Sequence, residues 1–167
     1  MVSTVLLDID GVLAISWRVL PGAAETLRWL RAQGIGFGLV TNTSSKSRRE
    51  IAAILTAGGI DVDVRKIFTA VSSAAHYLTM RYPSARCLVI NEGSLDNDLT
   101  GVDIVGPESP NVVLLGGAGP SIGYSEFDAV FKLAAAGVPI VALHRNTRFQ
   151  TADGPALDMG AFIVGLE

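Results

Sequence analysis

Short apolar runs alternate with capped, amphipathic segments along this chain, and that alternation leaves few folds open. Thr4 to Leu7 is followed by "PGAAETLRWLRAQG", "IGFGLVTN" by "SSKSRREIAAILTAGG", and "AVSSAAHYLTMRYP" by "RCLVIN". The apolar runs are short and continuous, so they read as fully buried strands. Between them the helix signals are strong. Pro21 suits a first helical turn and Gly34 a C′ position. Ser47 and Glu50 form a Ser-x-x-Glu capping box, Gly58-Gly59 ends that helix, and Pro83 stops the third. "SEFDAVFKLAAAG" predicts a fourth helix with Ser125 as N-cap. "VDIVG", "NVVLLGG" and "VPIVALH" read as further strands, and "MGAFIVGLE" as the start of a helix. This order predicts an α/β fold with mainly parallel strands.

Composition narrows the class. Of 167 residues, 49% are hydrophobic, and the mean hydropathy is +0.42. That is enough apolar material for a packed core rather than a disordered chain. The net charge of -3 comes without a basic cluster, so nucleic acid and anionic membranes are not expected partners. No apolar run reaches the length of a bilayer span, and the first apolar run is cut by Asp8 before it resembles a signal peptide. The single cysteine, Cys87, lies in an apolar strand and is expected to be buried and inert. The expectation is a soluble, cytoplasmic protein.

Two strand ends carry chemistry. The first strand runs into Asp8, Ile9, Asp10 and Gly11. In parallel α/β sheets, ligands bind beyond the carboxyl ends of strands. Residues i and i+2 of an extended segment face one side, so Asp8 and Asp10 can address one site, and Gly11 permits a sharp turn. Two close carboxylates repel unless a cation joins them, and Mg²⁺ takes oxygen ligands of this kind. One acid can then attack phosphorus while the other moves a proton. Asp-Gly is also an ordinary turn dipeptide. The second strand ends in Thr41 and Asn42, just ahead of a helix. A hydroxyl and backbone N–H groups there suit an anion, although Thr and Asn also serve as helix caps. Two acids on one strand end and phosphate-type donors on the next are complementary parts of a phosphoryl-transfer site.

"LLDIDGVLAIS", "PGAAETLRWLRAQG" and "FGLVTNTSSKSRRE", in this order, resemble the haloacid dehalogenase superfamily of phosphatases, subclass IIA, the NagD-like group. "SPNVVLLGG", "YSEFDAVFKLAAAGVPIVALH" and "RFQTADGPALDMGAFIVGLE" look like the cap of its branch that includes phospholysine phosphohistidine inorganic pyrophosphate phosphatase. The resemblance implies a partial Rossmann-like core with a parallel sheet over residues 1–81, and an α/β cap of the C2a type over 82–167. It implies Asp8 as nucleophile and Mg²⁺ ligand, and Asp10 as general acid/base whose backbone carbonyl also binds Mg²⁺. Gly11, Thr41 and Asn42 would contact the phosphoryl group. The implied substrate is a small phosphorylated metabolite, pyrophosphate or a phosphoamide.

Two family motifs are not found. Neither Lys46, Lys66 nor Lys132 precedes a proline, and no Gly-Asp dipeptide occurs. Glu167 falls about where such a cap would return to its core. The expectation is therefore a truncated phosphatase, its sheet edge completed by a missing C-terminal segment or a homodimer. The alternative is a non-catalytic remnant or a phosphate-binding module. On the loop after "VPIVALH", His144, Arg145 and Arg148 are candidates to face an anionic substrate, against a plain solvated turn. Asp153 and Asp158 read as turn and cap residues, Trp17 and Trp29 as packing residues, and "NEGSLDND" as a solvated helix.

Overall fold

The computed structural model describes residues 2–95, 97–151 and 154–167. Asp153, and Asp96 within the acidic stretch, lie outside the described residues. The chain packs as two compact units: residues 1–41 with 46–69, and residues 42–45 with 70–167.

The first unit holds β1 (Thr4–Asp8), β2 (Ala14–Ile15), β3 (Arg18–Val19), α1 (Ala23–Ala32), β4 (Gly36–Thr41), α2 (Arg48–Ala57) and β5 (Ile67–Thr69). Its sheet has the order β1-β4-β5, all parallel. Val5, Leu7 and Ile9 alternate inward, and meet Leu27 and Leu30 of α1 and Ile51 and Leu55 of α2. Full burial of a side chain such as Ile9, Leu27, Ile51 or Leu55 contributes about 1.5–3 kcal/mol, and the half-buried Val5 and Leu7 contribute less. The capping box forms as expected: the Glu50 N–H donates to Ser47 Oγ at 3.3 Å, and the Ser47 N–H donates to Glu50 Oε2 at 2.8 Å. Gly34, at φ +68°, takes the left-handed position beyond α1 that a side chain would strain.

β1 corrects one expectation. It is not fully buried: Leu6 is 67% exposed. Phe68 of β5 is exposed on the same face, and Gly38 lies between them, where a Cβ would meet Leu6 Cδ2 at 3.0 Å and Phe68 Cε2 at 3.1 Å. In this unit α1 and α2 supply the helical cover for one face only. β2 and β3, which pair antiparallel, and β5 are too short to show a periodicity in sequence.

The second unit holds α3 (Ala70–Arg81), β6 (Arg86–Ile90), β7 (Asp103–Ile104), β8 (Val112–Leu115), α4 (Tyr124–Ala135), β9 (Ile140–Ala142), β10 (Arg148–Thr151), β11 (Gly154–Leu157) and α5 (Met159–Leu166). Its parallel sheet has the order β7-β6-β8-β9, and β10 pairs antiparallel with β11. Cys87, Val112 and Leu114 face Val71, Ala75 and Leu78 of α3, while Leu88, Val113 and Leu115 pack in a second cluster with Val130 of α4 and Ile163 of α5. That packing places α3 in this unit, whose continuous part begins at Ala70. Burial pushes the Cys87 thiol up to about 11, as an inert core cysteine requires.

Three smaller expectations change. α4 starts two residues earlier: Gly123, not Ser125, is its N-cap, and the Gly123 N–H donates to Glu126 Oε2 at 2.8 Å. Residues 91–95, 97 and 98 form no helix where one was expected, and Asp98 is buried. Trp29 is exposed on α1, whereas Trp17 is half-buried against the first core. Asp158 is the N-cap of α5, accepting from the Met159 N–H at 2.8 Å. No helix among the described residues is long and apolar enough to cross a membrane.

Candidate active site

The site grows from the register of β1 on β4. Asp8 pairs with Val40, and the Ile9 N–H donates to Val40 O at 3.1 Å, so the last bond of the ladder lies between the two acids. Ile9 is buried and both flanking acids are exposed, which is the alternation an extended segment imposes. Asp8 and Asp10 therefore leave the core on the same side.

Beyond Asp10 the chain turns at once. Gly11 has φ +80°, and its N–H donates to Ala14 O at 2.8 Å. The N–H groups of Leu13 and Ala14 both donate to Ile9 O at 3.0 Å. This tight turn explains Gly11 by conformation alone, since L side chains rarely adopt such a φ. Asp8 Oδ1 accepts the Ile9 N–H at 2.8 Å, which fixes the orientation of an exposed carboxylate.

Thr41 ends β4 next to this turn. Its hydroxyl donates to Asp10 Oδ2 at 3.0 Å. Thirty-one residues apart in sequence, the acid of the first motif and the hydroxyl of the second thus meet directly. Asn42 follows Thr41 in the chain and packs with the second unit.

The donor chemistry suits a hard divalent cation: two carboxylates, no sulfur and no imidazole. It makes a thin shell, because no group of three or more His, Cys, Asp or Glu able to hold a metal occurs among the described residues. Mg²⁺ commonly retains several waters and is held by one or two carboxylates, so the pair fits as part of a shell. The three lysines are engaged elsewhere. Lys46 lies over the Trp17 ring at 5.5 Å and Lys66 over the Phe37 ring at 5.1 Å, while Lys132 pairs with Asp128 at 2.6 Å.

The weaker candidates belong to the second unit and are dispersed. The His144 side chain is only 9% exposed and lies 3.8 Å from Asp158 Oδ1, not out on a solvated turn. Arg145 is exposed and pairs with Glu167 at 2.9 Å. Arg148 begins β10. Sequence reasoning missed Asn91, which binds three backbone carbonyls and one N–H. An Asn beyond a strand is too common in turns to stand out.

Comparison with known proteins places the chain in a family. A family model described as haloacid dehalogenase-like hydrolase matches residues 5–105. The chain is 31% identical over its whole length to haloacid dehalogenase-like hydrolase domain-containing protein 2 from Rattus norvegicus, covering 62% of that protein. It is 28% identical over 99% of its length to the phospholysine phosphohistidine inorganic pyrophosphate phosphatase of Danio rerio, covering 62% of it. Among solved structures, NagD from Escherichia coli K-12 superposes with a TM-score of 0.85 at 26% identity, over 99% of this chain and 65% of that one. A glycerol phosphate phosphatase from Mycobacterium tuberculosis, in complex with magnesium, gives 0.85 at 26% identity, over 98% of this chain and 51% of that one. The chain thus spans about 62% of the length of the curated relatives it matches. With its two motifs joined through Asp10 and Thr41, this chain belongs to the haloacid dehalogenase-like hydrolases, in the NagD-like subclass IIA.

Proposed function

We propose that the Asp8/Asp10/Thr41 site serves a Mg²⁺-dependent phosphohydrolase acting on a small phosphorylated metabolite, pyrophosphate or a phosphoamide. The observation that carries this is the 3.0 Å bond from the Thr41 hydroxyl to Asp10, with Asp8 exposed beside it. An Asp8 oxygen attacks phosphorus in line, and the bond from phosphorus to the leaving oxygen or nitrogen breaks. Asp10 gives its proton to the leaving atom. Water then attacks the aspartyl-phosphate, Asp10 takes the water's proton, and phosphate and a free Asp8 carboxylate result. Thr41 orients Asp10 before substrate binds, and its hydroxyl then turns to donate to a phosphoryl oxygen, with Asn42 assisting. The Asp8 carboxylate and the Asp10 backbone carbonyl would hold a Mg²⁺ ion, which would supply positive charge to offset the repulsion between carboxylate and phosphate. The magnesium complex of the mycobacterial relative supports this choice of metal.

The experiment is p-nitrophenyl phosphate hydrolysis with and without Mg²⁺, in the wild type and in Asp8→Asn, with intact mass measured on the same sample. Turnover that requires Mg²⁺ and falls by on the order of a thousandfold or more in Asp8→Asn is the expected result. A second reading, phosphate binding without hydrolysis, draws on the absence of a third acid beside the pair among the described residues. It predicts phosphate binding that survives Asp8→Asn, without turnover.

A further inference from the structure

The sheet of the second unit reverses its order between β6 and β8: the chain passes from β6 to β7 on one side, then to β8 on the other. In open α/β sheets the carboxyl ends at such a reversal form the crevice where a ligand lies. Here that crevice holds the chain's own loop 42–45, which packs in this unit although Thr41 and Lys46 on either side belong to the first.

Asn91, the first residue beyond β6, grips it. The two hydrogens of its Nδ2 amide are shared among three carbonyls, Ser44 O at 3.1 Å, Glu92 O at 2.7 Å and Gly93 O at 3.0 Å, and its Oδ1 accepts the Gly117 N–H at 2.7 Å. Three carbonyls on one side and an N–H on the other fix which way the carboxamide points. The surroundings leave room for this side chain. A Cβ on Gly116 would overlap the Asn91 carboxamide, and one on Gly117 would lie 2.8 Å from Ser44 Oγ. The grip is itself braced. The Glu92 N–H donates to Gly117 O at 2.9 Å, and the Glu92 carboxylate accepts the Ser121 hydroxyl and N–H at 2.6 and 3.1 Å. Ser44 is buried as a result.

We propose that Asn91 is a positioning residue for phosphate recognition: it fixes loop 42–45, and with it the backbone of Asn42, before the anion arrives. The proposal rests on the reading of Asn42 as a phosphate-contacting residue given above. A loop ordered in advance does not have to lose its conformational freedom on binding, so affinity rises without a new contact. Asn91 itself need not touch the substrate.

The test compares the wild type with Asn91→Ala and Asn91→Asp. Aspartate keeps an acceptor for the Gly117 N–H but cannot donate to Ser44 O, so it releases the loop while sparing the sheet side. Amide exchange is followed at residues 43–45 and, as a check on folding, at Val113 and Leu114. Inorganic phosphate is titrated against the Asn42 amide signal. In both variants the loop is expected to exchange at least about tenfold faster and phosphate to bind roughly tenfold more weakly, with Val113 and Leu114 unchanged. Unchanged loop exchange overturns the proposal, and so does a loosened loop with unchanged phosphate affinity. A wild type that binds no phosphate overturns the reading under Proposed function and this one with it. Loss in the variants alone leaves that reading untouched and supports this one.

Discussion

The two sheets are built from similar strands and are covered differently. β8 reads Val-Val-Leu-Leu and every residue is buried, because α3 packs on one face and α4 and α5 on the other. β1 reads Thr-Val-Leu-Leu-Asp and alternates between exposed and half-buried. A continuous apolar run therefore states what a strand can tolerate on each face, and packing decides what it receives. The exposed face of β1 is also the one on which Asp8 emerges, in line with Thr4 and Leu6. In the second unit the corresponding strand ends hold the chain's own loop instead of open acids.

The largest effect that separates the two sheets is a cavity. Leu114→Ala is expected to destabilise by about 2–5 kcal/mol, whereas Leu6→Ala is expected to stay within about 0.5 kcal/mol. Urea denaturation measures both. Cys87 assigns the loss to a unit, since its thiol is buried in the second core and pushed up to about 11. Thiol labelling under native conditions is expected to accelerate in Leu114→Ala and not in Leu6→Ala. Equal losses in the two variants would mean that the face of β1 is covered in solution.

A smaller difference lies at the helix starts. α2 in the first unit has a complete capping box, and α4 in the second begins at Gly123, which has no side chain to cap with. Ser47→Ala is expected to cost about 1 kcal/mol, and Gly123→Ser to add a few tenths, both read from thermal unfolding. A Ser47→Ala variant as stable as the wild type would show that packing of Ile51 and Leu55, not the cap, sets the start of α2.

Much of this was legible in the sequence, and unevenly so. α1, α2 and α3 carried their own punctuation in Gly34, the Ser47/Glu50 pair and Pro83, and each formed there, although α1 begins at Ala23 behind its N-cap Gly22 and leaves Pro21 outside its first turn. The placement of Asp8, Asp10 and Thr41 was readable because a strand end is a defined place, and register then brought Thr41 onto Asp10. What failed depended on tertiary surroundings. The bare face of β1 was invisible because apolar residues on both faces do not report which helices are present. The start of α4 was missed because its N-cap, Gly123, has no side chain to mark it, and the Gly123 N–H is instead met by Glu126. His144 followed a strand and preceded two basic residues, yet it turned inward toward Asp158, the N-cap of α5. The role of Asn91 needed the Ser44 carbonyl, which lies 47 residues away in sequence.

The smallest expected effect is a pH dependence, and it places an acid on each side of the comparison. Hydrogen bonds from Ser47 hold the Glu50 carboxyl below the usual range in the first unit, and the Gly123 N–H does the same for Glu126 in the second. Arg65 beside Asp63 lowers that carboxyl further, to about 2. A carboxyl lowered in the folded state binds its proton more readily when unfolded. Its contribution is therefore complete above the ordinary carboxylate pKa and is lost as pH falls through the folded value. For Glu50 and Glu126 the loss begins just below pH 4.5, and for Asp63 it extends from 3.8 toward 2. Glu50 and Asp63 are exposed and Glu126 is only half-buried at the surface, so solvent screening keeps each effect small. Melting temperatures between pH 6 and pH 2 should fall less steeply in Asp63→Asn below pH 3.8, and less steeply in Glu50→Gln just below pH 4.5. Raised salt separates the causes. It should weaken the Asp63 effect, which rests on an ion pair, more than the Glu50 effect, which rests on hydrogen bonds to Ser47. If salt flattens both equally, the Glu50 shift comes from Lys46 nearby, and the cap of α2 contributes through charge instead of geometry.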